Sequence, residues 1–230
     1  MTQKKINYFN INLNFKNLSF LLNQILRGKS YLRATHNLFL KNNINLKGKI
    51  ANLGSGKKNE YDNYICKDAS LIENYDFFKT DKKTKQLNLE KKFILKKKYK
   101  SIILFNVLEH IYNQDQLIKS INKSLKKGGK LELFVPFMFR YHDDPKDYHR
   151  VTHTYLINFL RENGFKTKIT LIAVGQSNII LEILFRYFKL GIVKYSFAIF
   201  LILINYIFKF FSKDFINHYC GIHCSCIKIK

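Results

Sequence analysis

Apolar runs of strand length alternate with amphipathic segments through the middle of the chain. Residues 100–106 (KSIILFN) are apolar with little interruption, which is typical of a parallel strand buried on both faces. Residues 115–130 place apolar side chains at helical spacing and reach a Gly-Gly pair, which predicts an amphipathic helix that stops at those glycines. The alternation predicts an α/β protein with a parallel sheet.

The same pattern predicts further elements on either side of these two. The predicted strands are residues 49–53, 75–81, 130–136 and 166–174, and the predicted helices are residues 18–28 and 152–165. Thr152 is expected to cap the second of these helices and Gly164 to stop it. Ligands bind at the carboxyl ends of parallel strands, so we expect one crevice at that edge. The loops expected to form it follow Leu53, Asp81, Asn106 and Pro136.

A glycine loop follows the first of these strands, in residues 49–58 (KIANLGSGKK). The segment nearly matches a phosphate-binding P-loop, but Lys58 stands where that motif needs a hydroxyl to ligate magnesium. A nucleoside-cofactor loop needs only that Gly54 and Gly56 let the backbone approach a ligand closely. Asp81, at the end of the second predicted strand, would then accept the hydroxyls of a ribose. This context favours the nucleoside-cofactor interpretation.

Three segments carry a resemblance to a known family. They are ANLGSGKK at residues 51–58, NVLEHI at residues 106–111 and LKKGGKLELFVP at residues 125–136. Together they resemble class I S-adenosylmethionine-dependent methyltransferases of the type 11 kind, over about residues 48–175. The following segment, residues 136–165, is similar to a subgroup associated with cell-surface polysaccharide synthesis.

The resemblance implies a fold, a cofactor and the residues that bind it. We expect a Rossmann-like, mainly parallel seven-stranded sheet with helices on both faces and a hydrophobic helical insertion before the last strand. The expected domains are an N-terminal helical segment, the cofactor-binding core, the insertion and the final strand, at residues 1–47, 48–175, 176–216 and 217–230. The residues expected to bind S-adenosylmethionine are Asn52, Gly54, Ser55, Gly56, Asp81, Asn88, Leu89 and Asn106.

Three features depart from the family pattern. Residues 86–93 (QLNLEKKF) fit the family's segment that contacts the adenine, and there Asn88 stands in place of the usual acid. Asn52 replaces the acid of the first motif, and the third glycine of that motif is missing. The two replacements remove carboxylates that would attract a sulfonium cation. They motivate an alternative in which the chain is a degenerate, non-catalytic binding protein with a methyltransferase fold.

The acceptor is expected at the polar loop of residues 136–150. A sugar hydroxyl that receives a methyl group must lose its proton to a base. The candidate catalytic residues are His142, His110 and Asp147, and a carboxylate beside His142 would hold its tautomer and raise its basicity. Arg150 is interpreted as an anchor of the loop on Asp147.

No metal site is expected. Residues 218–226 (HYCGIHCSC) hold two histidines and three cysteines, but structural zinc sites usually use two well-separated ligand pairs. The segment continues with alternation of period two, which predicts the last strand of the sheet. Residues 1–10 contain no signal-peptide pattern, so we expect a cytoplasmic protein with reduced cysteines.

The net charge and the apolar segment of residues 176–216 indicate which partners the protein could bind. The formal net charge of +24 allows RNA or an anionic membrane surface as a partner. RNA ranks lower because the chain lacks the aromatic-proline signatures of base methylators and an added RNA-binding module. Residues 195–208 are uncharged but shorter than the about 20 residues of a spanning helix. Three interpretations of residues 176–216 are therefore possible: docking at a membrane interface, burial in a core or dimer surface, and a true membrane span.

These observations converge on an enzyme. We expect an S-adenosylmethionine-dependent methyltransferase whose substrate is a sugar or a lipid-linked saccharide of the cell surface. Its expected location is cytoplasmic, with peripheral contact to the inner face of the membrane. An RNA methyltransferase and the non-catalytic binding protein are the alternatives, and the oligomeric state is left open.

Overall fold

The computed structural model describes residues 6–56, 61–79, 81–184, 187 and 191–229. The β-strands of these residues are β1 (Asn7–Tyr8), β2 (Ile50–Leu53), β3 (Ile72–Asp76), β4 (Lys85–Gln86), β5 (Tyr99–Phe105), β6 (Leu125–Pro136), β7 (Phe165–Val174) and β8 (Tyr219–Lys228). The α-helices are α1 (Phe15–Leu26), α2 (Tyr31–Asn43), α3 (Asp62–Ile65), α4 (Gln114–Ser124), α5 (His153–Glu162), α6 (Gln176–Leu184) and α7 (Gly191–Phe211). Short 3-10 helices lie at Ala69–Leu71, Leu108–His110 and Phe215–Asn217.

The strands form one mixed sheet in the order β1-β7-β8-β6-β5-β2-β3-β4, with helices on both faces. Parallel ladders join β1 to β7, β2 to β3 and β5, β3 to β4, and β5 to β6. In this register Ile50 lies opposite Ile72 of β3 and opposite Ser101 of β5. The α/β class is confirmed. The described residues form eight strands instead of the expected seven, and the two-residue β1 is an edge strand beside β7.

The last strand, β8, runs antiparallel to β7. The N–H of Gly175 donates to the His218 carbonyl at 2.7 Å, and the N–H of Ile229 donates to the Gly164 carbonyl at 3.0 Å. The strand predicted for residues 218–226 is confirmed. Its cysteines are buried free thiols, namely Cys220, Cys224 and Cys226.

The chain divides into two compact units, each discontinuous in sequence. Unit 1 comprises Met1–Asn43, Phe137–Arg140 and Thr170–Ile222. Unit 2 comprises Ile44–Pro136, Tyr141–Ile169 and His223–Lys230. The four domains expected from the sequence stay a prediction.

The central elements of unit 2 follow the apolar pattern closely. Ile102, Ile103 and Leu104 of β5 are fully buried, as expected for a strand covered on both faces. The apolar stripe of α4 is buried and includes Leu117 and Ile121. At α5 the Thr152 side chain accepts from the Tyr155 N–H, and Gly164 follows with φ +84°, so the predicted cap and stop are confirmed.

Two element boundaries in unit 2 differ from the prediction. Helix α4 ends at Ser124, before the glycine pair, because Leu125 already pairs with Tyr99 as the first residue of β6. Gly129 lies inside β6, where a Cβ would approach the Lys126 carbonyl oxygen at 2.8 Å, so it permits close backbone packing. Strand β3 ends at Asp76 and not at residue 81; its partly exposed, polar residues hid it from an apolar pattern.

Unit 1 consists mainly of helices α1, α2, α6 and α7. The Glu182 carboxylate of α6 accepts from the Leu32 N–H in the first turn of α2, at 2.8 Å. Helix α7 buries Ala198, Leu201 and Ile202 and leaves other large apolar side chains exposed. Among the described residues, no helix combines the length and apolarity that a membrane crossing requires. Residues 185, 186 and 188–190 of the expected insertion lie outside the described residues.

Candidate cofactor and acceptor site

A cavity of about 810 Å³ lies in unit 2 at the carboxyl ends of β2, β3 and β5. Its lining comprises Gly54 and Gly56 after β2, residues 76–79 after β3, residues 88–90, Asn106, Val107, His110 and Ile111 after β5, and residues 144–146 with Tyr148. The volume falls within the range of about 300–1,000 Å³ that is usual for small-molecule and cofactor sites. The parallel strand order therefore brings these loops to one crevice.

The two glycines of the first loop serve different purposes. At Gly54, with φ +71°, a Cβ would lie 2.3 Å from a methyl carbon of Val107, so this glycine allows two loops to pack. At Gly56, with φ +65°, a Cβ would meet no described atom within 4 Å, so a side chain there would enter the cavity. The Gly56 N–H donates to Asp76 Oδ2 at 2.8 Å, which holds the loop against the end of β3. Lys57 and Lys58 lie outside the described residues.

The acid at the end of β3 is Asp76. Its Oδ1 accepts from the Phe78 N–H at 3.1 Å, and its side chain lines the cavity. Asp81 instead accepts from the backbone of Lys83 and from the backbone and hydroxyl of Thr84, and it is not part of the lining. The hydrogen bonds from Thr84 hold the pKa of Asp81 below its usual value. The acid at the carboxyl end of the second central strand is therefore Asp76, and not Asp81 as the sequence predicted.

A spacing rule could have identified Asp76 in advance. Dinucleotide-binding folds place the ribose acid about 20 residues beyond the glycine fingerprint. Asp76 follows Gly56 by 20 positions. The exposed aromatic pair Phe77 and Phe78 comes directly after this acid, with ring centroids 4.9 Å apart, and both rings line the cavity. Sequence reasoning missed all three residues because it placed the strand too late in the chain.

Two predicted cofactor residues serve the fold. Asn52 is fully buried; its amide donates to Asn74 Oδ1 at 3.1 Å, and its Oδ1 accepts from the Tyr61 hydroxyl at 3.2 Å. Ser55 is buried, and its N–H donates to the Tyr75 carbonyl at 3.2 Å. Neither side chain belongs to the cavity lining. An amide at position 52 thus completes a polar network across β2 and β3.

The other predicted cofactor residues line the cavity. Asn88 and Leu89 are adjacent there, and Asn88 Oδ1 accepts from the Glu90 N–H at 2.9 Å, which fixes this turn. Asn106 lies at the end of β5 with φ +53°, a left-handed conformation that asparagine tolerates better than most residues. Strained backbone of this kind is concentrated at functional sites.

On the acceptor side, His110 lines the cavity and is fixed by the loop beyond β6. Its Nδ1 donates to the Lys146 carbonyl oxygen at 2.7 Å, because a carbonyl can only accept. The neutral ring therefore carries no proton on Nε2. The rings of His110 and His142 meet edge to face, with centroids 4.9 Å apart.

Asp147 and Arg150 hold the same loop. The Arg150 guanidinium donates to both carboxylate oxygens of Asp147, with 2.6 Å between Nη2 and Oδ2. The His142 N–H also donates to Asp147 Oδ2, at 2.9 Å, and His142 Nδ1 lies 3.4 Å from the same oxygen. Burial would raise the pKa of Asp147, but the hydrogen bonds from Arg150 and the His142 backbone outweigh it and lower that pKa. Asp147 is buried outside the lining, where it positions His142.

Glu109 is a buried acid to which the sequence patterns assigned no catalytic role. Its side chain is 1% exposed, and within the described residues neither carboxylate oxygen has a hydrogen-bond partner. His110 Nε2 lies 3.8 Å from Glu109 Oε1. Burial raises the pKa of Glu109 to about 8.

Comparisons with known proteins agree with this fold. The family described as "Methyltransferase domain" matches residues 29–168, more than half of the chain. No curated protein matches this chain. A solved S-adenosylmethionine-dependent methyltransferase from Archaeoglobus fulgidus is similar, with a TM-score of 0.55 and 12% identity over 91% of this chain and 99% of that one.

Two further solved structures are similar at low identity. The phosphoethanolamine N-methyltransferase 2 of Haemonchus contortus, in complex with S-adenosyl-L-methionine, gives a TM-score of 0.52 and 11% identity over 85% of this chain and 52% of that one. The YcgJ protein of Bacillus subtilis gives a TM-score of 0.50 and 12% identity over 85% and 99% of the two chains. These likenesses concern the fold.

The cavity fits the cofactor of this family. A backbone free of side chains at Gly56, an oriented acid at Asp76 and the neighbouring Leu89 are suited to a nucleoside that carries no phosphate. The departures at positions 52 and 88 leave this arrangement intact. The chain belongs to the methyltransferase domain family and is an enzyme that uses S-adenosylmethionine.

Proposed function

We propose that this enzyme methylates a hydroxyl group of a sugar or a lipid-linked saccharide. The observation that carries the proposal is His110, whose tautomer is fixed and which lines the same cavity as Gly56 and Asp76. A hydroxyl acceptor needs a base within reach, and an imidazole with an unprotonated Nε2 is suited to that task.

The cofactor side is assigned from the lining. Asp76 accepts the ribose hydroxyls, Asn88 and Leu89 contact the adenine, and the loop from Gly54 to Gly56 offers its backbone. S-adenosylmethionine supplies a methyl group that is already activated on a sulfonium. Placement of the acceptor by the protein therefore contributes much of the rate.

The acceptor side combines polar and aromatic groups. Asp144, Lys146 and Tyr148 line the cavity, and the Tyr148 ring lies 5.4 Å from the exposed ring of Tyr112. Tyrosine offers an apolar ring face together with a polar hydroxyl. Carboxylate, ammonium and ring face together match the hydroxyls and the C–H faces of a sugar, which supports a saccharide acceptor.

The test is methyl transfer from labelled S-adenosylmethionine to a panel of acceptors. The panel contains lipid-linked saccharides, free oligosaccharides and RNA, and cofactor affinity is measured by calorimetry. We expect transfer to a saccharide, and a large loss of turnover in His110→Ala but not in His218→Ala, a unit 1 residue whose Nδ1 lies 2.9 Å from the Asp214 carbonyl oxygen. Transfer to RNA alone would select the RNA enzyme, and absence of cofactor binding would select the non-catalytic binding protein.

We also propose that unit 1 docks on an anionic membrane surface. The exposed apolar side chains of α7 include Phe200, Leu203, Ile207, Phe210 and Phe211. The chain carries a net charge of +24, and Lys209 lies among these residues in the last turn of the helix. Apolar burial in the interface combined with lysine attraction to anionic lipid gives reversible, salt-sensitive binding.

Vesicle flotation tests this docking. Binding to phosphatidylglycerol vesicles that is lost at high salt, with little binding to phosphatidylcholine, is expected. Phe210→Glu should weaken this binding, whereas Phe15→Glu, which changes an even more exposed phenylalanine on α1, should not. If the protein does not float under any of these conditions, the exposed face of α7 belongs to another partner, such as a second copy of the chain.

A further inference from the structure

Three buried glutamates differ in the hydrogen bonds that their carboxylates accept. Glu132 accepts from His223 Nε2 at 3.0 Å and from the Ser225 hydroxyl at 2.7 Å. Glu182 accepts from the Leu32 N–H at 2.8 Å. Within the described residues Glu109 accepts no hydrogen bond on either oxygen, although its side chain is only 1% exposed and its chain neighbour His110 lines the cavity. A buried polar group without a partner calls for a ligand that completes it.

Two imidazoles stand beside this carboxylate. One donor atom each from Glu109, His110 and His142 lies within 4.8 Å of the other two. Oxygen and nitrogen ligands of zinc lie about 2.0–2.2 Å from the ion, so small side-chain rotations bring these three atoms onto one centre. Among the described residues, this is the cluster of His, Cys, Asp and Glu that has such spacing.

The surroundings of the two histidines resemble the outer sphere of a metal site. Ligating histidines usually donate their second ring N–H to a carbonyl or a carboxylate, which fixes the ring. His110 donates its Nδ1 proton to the Lys146 carbonyl. His142 has its Nδ1 3.4 Å from Asp147, which Arg150 holds in place. The ring of His110 is therefore oriented through Nδ1, and its Nε2 lies 3.8 Å from Glu109 Oε1. At His142, Arg150 Nη2 is also 3.4 Å from Nδ1, so ligation through Nε2 requires the tautomer whose Nδ1 proton faces Asp147.

We propose that Glu109, His110 and His142 bind a divalent transition-metal cation beside the cavity, which His110 lines. Two imidazole nitrogens and one carboxylate favour Zn²⁺, Fe²⁺, Mn²⁺, Co²⁺ or Ni²⁺ over Mg²⁺ and Ca²⁺, which prefer oxygen ligands. Three protein ligands leave coordination positions open, as in catalytic sites. This proposal departs from the expectation, drawn from the sequence, that the chain binds no metal.

The role of the cation rests on the proposed function. Because His110 lines the cavity, a cation bound to it lies beside the place where the acceptor hydroxyl is expected. A Lewis acid there would bind the hydroxyl oxygen and lower its pKa, so that the proton would be released to solvent water before the oxygen accepts the methyl group, and His110 would act as a ligand of the cation instead of taking the proton directly. Without a bound cation, His110 remains the base of the proposed function.

Calorimetry on the chelator-treated full-length chain tests the site without cofactor or acceptor. Titration with Zn²⁺, and separately with Co²⁺, is expected to give one ion per chain. Glu109→Gln and His142→Ala should each weaken binding by about tenfold or more. Glu132→Gln is the matched control, because it changes a buried carboxylate of unit 2 that already has partners, and it should bind as the wild type does.

The outcomes separate the site from the function. No stoichiometric Zn²⁺ binding, equal binding by His142→Ala, or a cobalt–thiolate absorption band that reports cysteine ligands would overturn the site. His142 is partly exposed, so its variant remains informative if Glu109→Gln does not fold. Bound Zn²⁺ without methyl transfer to any saccharide overturns the proposed acceptor and leaves the site intact. Turnover that the chelator does not reduce overturns the role of the cation.

Discussion

Two buried Glu–His pairs in unit 2 have the same chemistry and opposite surroundings. Between β6 and β8, Glu132 and His223 are 3.0 Å apart, and Ser225 completes the carboxylate. Beside the cavity, Glu109 and His110 are 3.8 Å apart and do not hydrogen-bond to each other. The first pair is closed within the sheet, whereas in the second the carboxylate accepts no hydrogen bond among the described residues and the histidine lines the cavity. Residue type alone therefore does not distinguish a structural pair from a functional one; the state of the carboxylate does.

The largest expected difference between the pairs is in turnover. His110→Ala should lower kcat by about 10²–10⁴, the usual contribution of a positioned acid–base group. The affinity for S-adenosylmethionine should change little, because the proposed cofactor contacts are made by Asp76 and Gly56, which belong to other loops of the same cavity lining. Single-turnover kinetics and calorimetry measure the two quantities. Equal losses of turnover and of cofactor affinity would show that His110 supports the whole cavity and is not specific to the acceptor.

The glycine loop offers a second way to separate ligand binding from packing. Gly56→Val should abolish cofactor binding, because Gly56 lines the cavity and has no described atom within 4 Å of a Cβ, and because its φ of +65° strains a β-branched side chain. Gly54→Ala should instead destabilise the fold, because its Cβ would lie 2.3 Å from Val107. Calorimetry and thermal melting record these effects. Unchanged cofactor affinity in a folded Gly56→Val protein would contradict the assignment of the loop.

The closed pair is expected to matter for stability. His223→Ala removes one of the two partners of Glu132 in a buried position, which should lower the free energy of unfolding by about 1–3 kcal/mol. Turnover per folded molecule should stay near that of the wild type. Urea unfolding measures the first effect and the methyl-transfer assay the second. A stable His223→Ala protein with reduced turnover would reverse the roles of the two pairs.

Burial explains which elements the sequence patterns could predict. Strand β5 was recognised because burial on both faces leaves an apolar run, and α5 because Thr152 and Gly164 mark its ends. Strand β3 was misplaced because its polar residues bond to neighbours: Asn74 accepts from Asn52, and Glu73 accepts from Tyr99. A two-residue strand such as β1 has no periodicity to detect.

The candidate site was predicted unevenly for a similar reason. The glycine loop and Asn106 lie next to recognisable strands, so their approach to the cavity follows from strand order. His110 and His142 are distant in sequence and meet only because the Lys146 carbonyl fixes one ring and Asp147 positions the other. Contacts of this kind depend on the path of a loop, which no spacing rule encodes.

The smallest expected effect concerns Asp62 at the start of α3, a third partly buried acid of unit 2. Burial raises its pKa to about 6, and its Oδ1 has no hydrogen-bond partner among the described residues. The unfolded chain has an Asp pKa of about 3.9, so the folded state binds the proton more tightly. The contribution of Asp62 to stability is therefore fully present below about pH 4 and is lost as the pH rises through about 6. Asp62→Asn should melt at a higher temperature than the wild type at pH 8, by up to about 4 °C, and at the same temperature at pH 4. If Asp62→Asn and the wild type melted at equal temperatures at both pH values, water would already solvate the Asp62 carboxylate. Partial burial would then not be enough to raise a carboxyl pKa in this protein, and the raised pKa of Glu109 would depend on its more complete burial.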